Sequence, residues 1–378
     1  MRANNLLSPT ESVTGLELFY DLVFVFALTR ANFVISAQAS DYNFVLALLL
    51  FVVLWCVWVS YSWLGSTVRL DSRSATATLM VSMAGLFLMA LWLPEWVAGG
   101  AAALAFVGAY LLARATHLIS LVALCRKTPS VAATIPWVVA GVALSTIALA
   151  VGAFVGGSLQ VALLACVVIL ECAPYLLRTR NSWPISIKHF VERYELVIMI
   201  AIGEGVVSLG VAASRQSISM AITGYCLFAF AIDCLVWIAY FRILAPRVAS
   251  AMESSPLLRR PVLARDVYSG LHLLLVLGLV LLAAARTVII QELQHNNGAA
   301  WALSGPAAHY AGLAWIFITV GFVLIRLRAN LRVPVAGWIA VLLAATEYVT
   351  ATRLPILVTV AIALAISLLL IGPTRQKP

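Results

Sequence analysis

The chain has 378 residues, of which 63% are hydrophobic and 10% are charged. A soluble domain is about 45–50% apolar and about 25% charged, so this composition excludes a soluble enzyme, a disordered chain and a nucleic-acid binder with a basic surface. The formal net charge of +9 therefore needs another explanation, which the positions of the Lys and Arg residues provide.

Apolar segments of transmembrane length follow one another along the chain. A helix needs about 20 mostly apolar residues to cross the hydrocarbon core of a bilayer, and a window of that size predicts twelve spans. The predicted fold class is an all-α polytopic membrane protein. The predicted spans cover residues 14–36, 43–64, 75–94, 101–124, 135–155, 158–177, 190–213, 218–242, 265–290, 308–328, 333–352 and 354–372.

The Lys and Arg residues indicate the orientation of these spans. Eighteen of the 24 lie at the termini, or at or beside the connections that follow an even-numbered span, and three, Arg30, Arg215 and Arg353, lie near the end of an odd-numbered span or just after it. Because basic residues accumulate on the cytoplasmic side of a bilayer, this alternation predicts that both termini are cytoplasmic. The positive charge is then an orientation signal, and we expect no nucleic-acid partner.

The first and seventh predicted spans resemble each other. Residues 20–28 and 194–202 are identical at four of nine positions, and the second and eighth spans share Phe, Val, Trp and Tyr positions at a nearly constant offset. We predict two parallel six-helix repeats, residues 1–180 and 181–378, which together form one transmembrane domain. In transporters built from repeats, the substrate site commonly lies at the interface between them.

Two acidic residues lie near the start of the first span. Glu17 and Asp21 are four residues apart, so they share one face of the helix about one turn inside its cytoplasmic end. A helix N-terminus stabilises anions, which would explain both acids without a function. The deeper position of Asp21, and the presence of Glu195 at the matching position of the seventh span, favour a functional role. Charged side chains inside a span normally face partners or water within the bundle.

The seventh span has the highest density of ionisable residues, namely His189, Glu192, Arg193, Glu195 and Glu204. At about 100° per residue, Arg193 and Glu204 lie on nearly the same face, and Glu195 lies opposite Glu204. Glu204 is near mid-bilayer, where a shielded carboxyl group is suited to load and release a proton. The flanking Gly203 and Gly205 predict a close helix contact or a local distortion of the helix. A buried hydrogen bond that only fixes helix packing is the alternative.

Ionisable residues also lie in the fourth and eighth spans. Arg114 and His117 share a face of the fourth span, and Asp233 lies near mid-depth in the eighth. Arg114 requires a carboxylate partner, because an isolated charge in a span is costly. Asp21, Glu204 and Asp233 are the candidates at a compatible depth, and the sequence does not choose among them.

Other polar residues are interpreted as structural. The pairs Trp58–Tyr61 and Trp237–Tyr240 are assigned to interfacial aromatic belts, with a platform for a substrate as the alternative, and His272 is assigned to the core. Arg286 is expected toward the outer surface, and Glu171 at the inner edge of its span. The connection 243–264 is predicted to be the longest cytoplasmic loop, with arginines that face anionic headgroups.

No cofactor or metal site is recognised in the sequence. His189 and Glu192 are three residues apart, but no second pair completes a metal site. Phosphate-binding glycine loops and the H-E-x-x-H and G-x-S-x-G motifs do not occur. The six cysteines form no C-x-x-C pair and are predicted to be reduced packing residues. We therefore expect no catalytic residues, no cofactor and no metal.

Two stretches carry a resemblance to a known family. They are residues 15–24, G-L-E-L-F-Y-D-L-V-F, and residues 189–204, which begin H-F-V-E-R and end G-E. They resemble the paired signatures of the bacterial low temperature requirement protein A family, polytopic membrane proteins of similar length. The residues that match the family pattern are Glu17, Asp21, His189, Glu192, Arg193 and Glu204. The resemblance implies a multi-pass protein of the bacterial cytoplasmic (inner) membrane, linked by name to growth in the cold, and it implies no substrate.

Three functions stay open from the sequence. The first is a secondary transporter or proton-linked permease of a small solute, in which Asp21, Glu204 and Asp233 exchange protons or bind ions and Arg114 or Arg193 supplies the countercharge. The second is a lipid-modifying enzyme that acts near the cytoplasmic headgroups, although no nucleophile or metal set accompanies its acids. The third is a receptor or scaffold whose buried charges only specify helix pairing. The bilayer is the expected partner in each case, and an enzyme is the less favoured class.

Overall fold

The computed structural model describes residues 12–37, 41–67, 72–126, 132–176 and 185–295, together with short helical pieces between 312 and 323. All regular secondary structure in these residues is helical. The α-helices are α1 (Gly15–Ala37), α2 (Asp41–Gly65), α3 (Arg73–Leu91), α4 (Leu93–Ala98), α5 (Leu104–Cys125), α6 (Ile135–Gly152), α7 (Gly157–Leu176), α8 (Ile187–Ser214), α9 (Met220–Trp237), α10 (Ala245–Ser254), α11 (Arg260–Leu263) and α12 (His272–His295). Two π-helical segments, Ile238–Leu244 and Ala264–Leu271, and two 3₁₀ turns, Ala101–Ala103 and Leu257–Arg259, accompany them.

Helices overlap each of the first nine predicted spans. Among the described residues, eight helical stretches are long and apolar enough to cross a membrane, as judged by length and composition. They are Gly15–Ala37, Tyr42–Gly65, Arg73–Leu91, Ala101–Cys125, Ile135–Gly152, Ile187–Ser214, Met220–Ser254 and Leu257–Gln291. The predicted spans 333–352 and 354–372, and most of 308–328, lie outside the described residues. An all-helical fold with several membrane-spanning helices is therefore confirmed for the described part, and the count of twelve stays a prediction.

The region 243–264 is helical except at residues 255–256, so the prediction of a long loop there is wrong. The helical stretch Met220–Ser254 covers the first part of the region, and a second stretch begins at Leu257. The sequence is polar overall, but α10 buries Ala245, Val248 and Met252, which form one apolar stripe of an amphipathic helix. A hydropathy window misses such a helix because it averages the polar and apolar faces.

The chain forms two compact units. Unit 1 comprises residues 1–197 with 255–269, and unit 2 comprises residues 198–254 with 270–378. Within unit 1, α3 packs against α1 and α5, α6 packs against α5 and α7, and α2 packs against α1 and α7. Within unit 2, α9 packs against α12, and the end of α8 joins them in an apolar cluster that includes Leu209, Tyr225 and Ile290. Helix α8 thus supplies residues to both units.

A glycine sets the distance between α3 and α5 in unit 1. A Cβ atom built on Gly85 would lie 2.8 Å from the backbone nitrogen of Ala113 and 3.1 Å from the carbonyl oxygen of Ala109. Both neighbours are backbone atoms, so the clash is relieved only if a helix moves. Small residues commonly allow this kind of close approach between membrane helices.

We expect Gly85→Ala to lower the thermal unfolding temperature of the purified protein. Overpacking costs about 1–3 kcal/mol, which exceeds the gain of up to about 1 kcal/mol from replacing a helical glycine with alanine. Gly108→Ala is the matched control, because a Cβ atom on Gly108 meets nothing within 4 Å. If both variants unfold at the same temperature as the parent, α3 and α5 do not depend on the contact at Gly85.

Candidate functional site

A buried group of four ionisable side chains joins α1 to α8 in unit 1, and we call it the α1–α8 cluster. Glu17 and Asp21 come from α1, and His189 and Arg193 come from α8, each pair spaced by four residues and therefore on one helix face. All four side chains are at most 2% exposed. The Asp21 Oδ1 atom accepts a hydrogen bond from Arg193 Nη2 at 2.5 Å. His189 Nε2 lies 3.0 Å from Glu17 Oε2, and Arg193 Nη1 lies 3.9 Å from Glu17 Oε1.

Aromatic rings surround the ion pair of the α1–α8 cluster. Trp58 Nε1 donates a second hydrogen bond to Asp21 Oδ1 at 2.8 Å. The Arg193 guanidinium carbon lies 5.6 Å from the centre of the Trp58 ring and 5.8 Å from that of Tyr20, which is cation–π range. Trp58 is fully buried, so its assignment to an interfacial belt is wrong. The indole N–H of Trp58 finds its hydrogen-bond acceptor in the buried Asp21 carboxylate and not in a lipid headgroup, and the sequence does not show this contact.

The start of α1 is fixed to this cluster by a capping box. The Glu17 amide donates to Thr14 Oγ1 at 3.3 Å, and the Thr14 amide donates to Glu17 Oε2 at 3.0 Å, which is the reciprocal pattern of that motif. The Thr14 hydroxyl donates to the same carboxylate oxygen at 2.8 Å. Glu192 of α8 accepts a hydrogen bond from the Val13 amide at 3.1 Å. Glu17 therefore both caps its own helix and contacts α8 through His189.

The α1–α8 cluster has unused hydrogen-bonding capacity. Asp21 Oδ2 and Arg193 Nε are buried and have no hydrogen-bond partner among the described residues. Two carboxylates face one guanidinium, so the group carries one negative charge when His189 is neutral and none when His189 is protonated. Such a group can take up one proton or one monovalent cation, and the open oxygen of Asp21 gives it an acceptor.

A second buried ion pair lies elsewhere in unit 1. The Arg114 guanidinium forms an ion pair with Glu171 of α7, and the Tyr110 hydroxyl donates to Glu171 Oε1 at 2.5 Å. The sequence offered Asp21, Glu204 and Asp233 as partners of Arg114 and overlooked Glu171, which was placed at the inner edge of its span. His117 is buried one turn along α5, with its ring 5.4 Å from that of Tyr61 in an edge-on contact.

Unit 2 contains its own ion pair, between α9 and α12. Arg286 Nη1 lies 2.8 Å from Asp233 Oδ1 and 2.9 Å from Oδ2, and Nη2 donates to the Ala229 carbonyl at 3.3 Å. Arg286 is 1% exposed, so its side chain lies inside unit 2. Helix α12 extends from His272 to His295, and the expected position of Arg286 toward the outer membrane surface stays a prediction.

Glu204 and the two glycines beside it lie in a regular part of α8. Glu204 is 5% exposed and accepts a hydrogen bond from Ser208, one turn further along the helix. The helix is continuous from Ile187 to Ser214, so the distortion predicted at Gly203 and Gly205 does not occur. Glycine permits a distortion but does not impose one. A Cβ atom on Gly205 would lie 3.5 Å from Arg286 Nη1, so this glycine borders the ion pair of unit 2.

The predicted site residues are therefore distributed over separate groups. Glu17, Asp21, His189 and Arg193 form the α1–α8 cluster, with Glu192 bonded to the chain just before α1. Arg114 lies with Glu171, and Asp233 lies with Arg286. Glu195 is half-buried on α8. Among the described residues, no group of three or more His, Cys, Asp or Glu side chains is arranged to hold a metal ion.

Comparison with known proteins identifies the family. Residues 12–371 match the family described as "Bacterial low temperature requirement A protein (LtrA)". The chain belongs to this family. It is also 25% identical over 369 residues to an uncharacterized protein of Rhizobium meliloti (strain 1021), a match that covers 89% of each chain. No solved structure matches the chain.

The family resemblance inferred from the two motifs is thus confirmed over nearly the whole chain. Four of the six LtrA motif residues named from the sequence lie together in the α1–α8 cluster. The residues that sequence reasoning missed are partners of those it found. They are Trp58, which donates a hydrogen bond to Asp21, Glu171, which forms an ion pair with Arg114, and Arg286, which forms an ion pair with Asp233.

We expect removal of one member of the Asp233–Arg286 pair to destabilise the protein strongly. Breaking a buried pair leaves an uncompensated charge and costs about 3–5 kcal/mol. Asp233→Ala and Arg286→Ala should each lower the thermal unfolding temperature. The decrease in the double variant should be smaller than the sum of the decreases in the two single variants. A double-mutant cycle in detergent measures this coupling, and additive effects of the two substitutions would show that the pair is not coupled.

Proposed function

We propose that this LtrA protein is a secondary transporter that couples the movement of a small solute to protons, with the α1–α8 cluster as the proton-coupling site. Glu17 and His189 share the exchangeable proton in this proposal. Asp21 and Arg193 hold the two helices together while that proton is bound and released.

The charge balance of the cluster is the observation that carries the proposal. Two buried carboxylates face one guanidinium, and His189 is the remaining group that can neutralise the site. Binding of one proton changes the net charge of a buried group from −1 to 0. A charged residue inside a span costs about 2.5–3.5 kcal/mol on insertion scales, so such residues are typical of ion and proton pathways.

Buried acids in unit 2 extend the proposal. Glu204 is buried with Ser208 as a hydrogen-bond donor, and Asp233 is paired with Arg286. We assign Glu204 as a second protonatable carboxyl group, because it is buried and its predicted span places it near mid-bilayer. Asp233 and Arg114 keep their sequence-based role as charged members of the transport pathway.

The proposed transporter has twelve transmembrane helices in two parallel six-helix repeats, residues 1–180 and 181–378. It lies in the bacterial cytoplasmic membrane with both termini in the cytoplasm. The alternation of Lys and Arg between the connections supports this orientation. An even number of helices in each repeat would give both copies the same orientation in the membrane.

Glu17→Gln is the sharpest test of the coupling site. This change removes the exchangeable charge, while Asp21 still compensates Arg193. Purified protein is reconstituted in liposomes under an imposed pH gradient, and a fluorescent dye reports internal pH while a panel of amino acids, sugars and small organic ions is added outside. We expect solute-dependent proton movement by the parent protein and only the background of empty liposomes for Glu17→Gln and His189→Gln.

Glu195→Gln is the matched control for that experiment. It makes the same chemical change on α8 at a half-buried position outside the cluster, and should keep proton movement at the parent level. Glu204→Gln in the same assay is expected to abolish solute-dependent proton movement. Proton movement that survives both Glu17→Gln and His189→Gln, in variants that elute and unfold like the parent, would instead support a scaffold role for the buried charges.

The proposed orientation is tested with reporters fused after Pro378. Green fluorescent protein folds in the cytoplasm, whereas alkaline phosphatase becomes active after export, so we expect a fluorescent fusion with the first and an inactive fusion with the second. The opposite pair of results would place the C-terminus outside and would require an odd number of spans or a reversed protein.

A further inference from the structure

Two cysteines that are distant in the sequence are neighbours in unit 1. Cys56 of α2 and Cys172 of α7 are 116 positions apart, and their Sγ atoms lie 3.8 Å from each other. Both are free thiols in this structure; Cys56 is buried and Cys172 is partly exposed. The absence of a C-x-x-C motif hid this pair, because the contact is made between helices and not within one.

The thiol pair borders the second ion pair of unit 1. Cys172 directly follows Glu171, the partner of Arg114. Ser60, one turn after Cys56, donates to the Cys56 carbonyl oxygen at 2.7 Å and accepts a hydrogen bond from Arg114 Nη1 at 2.7 Å. The thiol pair is thus linked to the Arg114–Glu171 pair through the chain at Glu171 and through Ser60.

We propose that Cys56 and Cys172 are a redox modification site, which a peroxide oxidises to an intramolecular disulfide. The sulfur of Cys172 attacks one oxygen of the peroxide, the O–O bond breaks, and Cys172 becomes a sulfenic acid with release of water. The sulfur of Cys56 then attacks the sulfenic sulfur, the S–O bond breaks, and a second water leaves as the S–S bond forms. The two thiols lose two electrons and two protons, which reduce one hydrogen peroxide to two waters.

The geometry requires a small movement for this reaction. The two sulfurs lie 3.8 Å apart, and a disulfide bond is about 2.05 Å long. Side-chain rotation and a small shift of one helix supply that difference. Cys172 reacts first because it is the more accessible thiol, and Cys56 is the resolving thiol because it is already in contact with it.

The disulfide would link two helices that carry functional side chains. Helix α2 carries Ser60 and Trp58, and α7 carries Glu171, so the bond ties α2 to the helix that holds the Arg114 partner. Oxidation therefore restricts relative movement of α2 and α7 at the Arg114–Glu171 pair. This oxidation involves the two thiols alone and does not depend on whether the protein is a transporter.

The test treats reduced, full-length protein in detergent with hydrogen peroxide, removes the peroxide, and counts maleimide-reactive thiols after denaturation by mass spectrometry. We expect two fewer reactive thiols, a cross-linked peptide that contains positions 56 and 172, and full recovery with dithiothreitol. The oxidised protein should also unfold at a higher temperature than the reduced protein. Cys56→Ser and Cys172→Ser should each abolish the cross-link.

Cys125→Ser is the matched control, because Cys125 is another buried thiol in a helix of unit 1. This variant should form the 56–172 cross-link like the parent. If a variant fails to fold, the thiol count and the cross-linked peptide of the parent protein still test the proposal. Retention of all thiols in the treated parent, or oxidation of Cys172 to sulfinic acid without a cross-link, would overturn the proposal.

Discussion

The ion pair between Asp21 and Arg193 is the interaction on which the described part of unit 1 depends. It joins α1 to α8, and the hydrogen bond from Trp58 adds α2 to the same carboxylate oxygen. An uncompensated charge in this interior would cost several kcal/mol, so the three helices are held in one register by the need to keep both charges paired. The cation–π contacts of Arg193 with Tyr20 and Trp58 complete the shell around the guanidinium.

Stability alone does not explain this arrangement. Replacement of a buried ion pair by well-packed apolar residues is often neutral or stabilising, and this bundle already buries an extensive set of apolar and aromatic side chains. The α1–α8 cluster also contains more acid than base, and Asp21 Oδ2 has no hydrogen-bond partner among the described residues. The imbalance favours a group that binds something transiently.

The faces of single helices could be predicted from the sequence, but their partners could not. A spacing of four residues places Glu17 and Asp21 on one face of their helix, and it places His189 and Arg193 on one face of theirs. This periodicity does not show which helix packs against each face. Depth carries some of the missing information. Arg114 and Glu171 each lie thirteen residues into spans that are predicted to run in the same direction, so a depth comparison would have paired them.

The position of Glu17 suggests how a proton could act on the helices. Its Oε2 atom accepts from the Thr14 amide, from the Thr14 hydroxyl and, at 3.0 Å, lies against His189 Nε2. A charged carboxylate is a stronger acceptor than a neutral carboxyl group, so protonation of Glu17 weakens the cap of α1 and the link to α8 at the same time. Asp21 and Arg193 stay paired one turn further along. Proton binding would then loosen the first turn of α1, while the Asp21–Arg193 ion pair stays formed. One weakened contact beside one retained contact would let α1 pivot against α8.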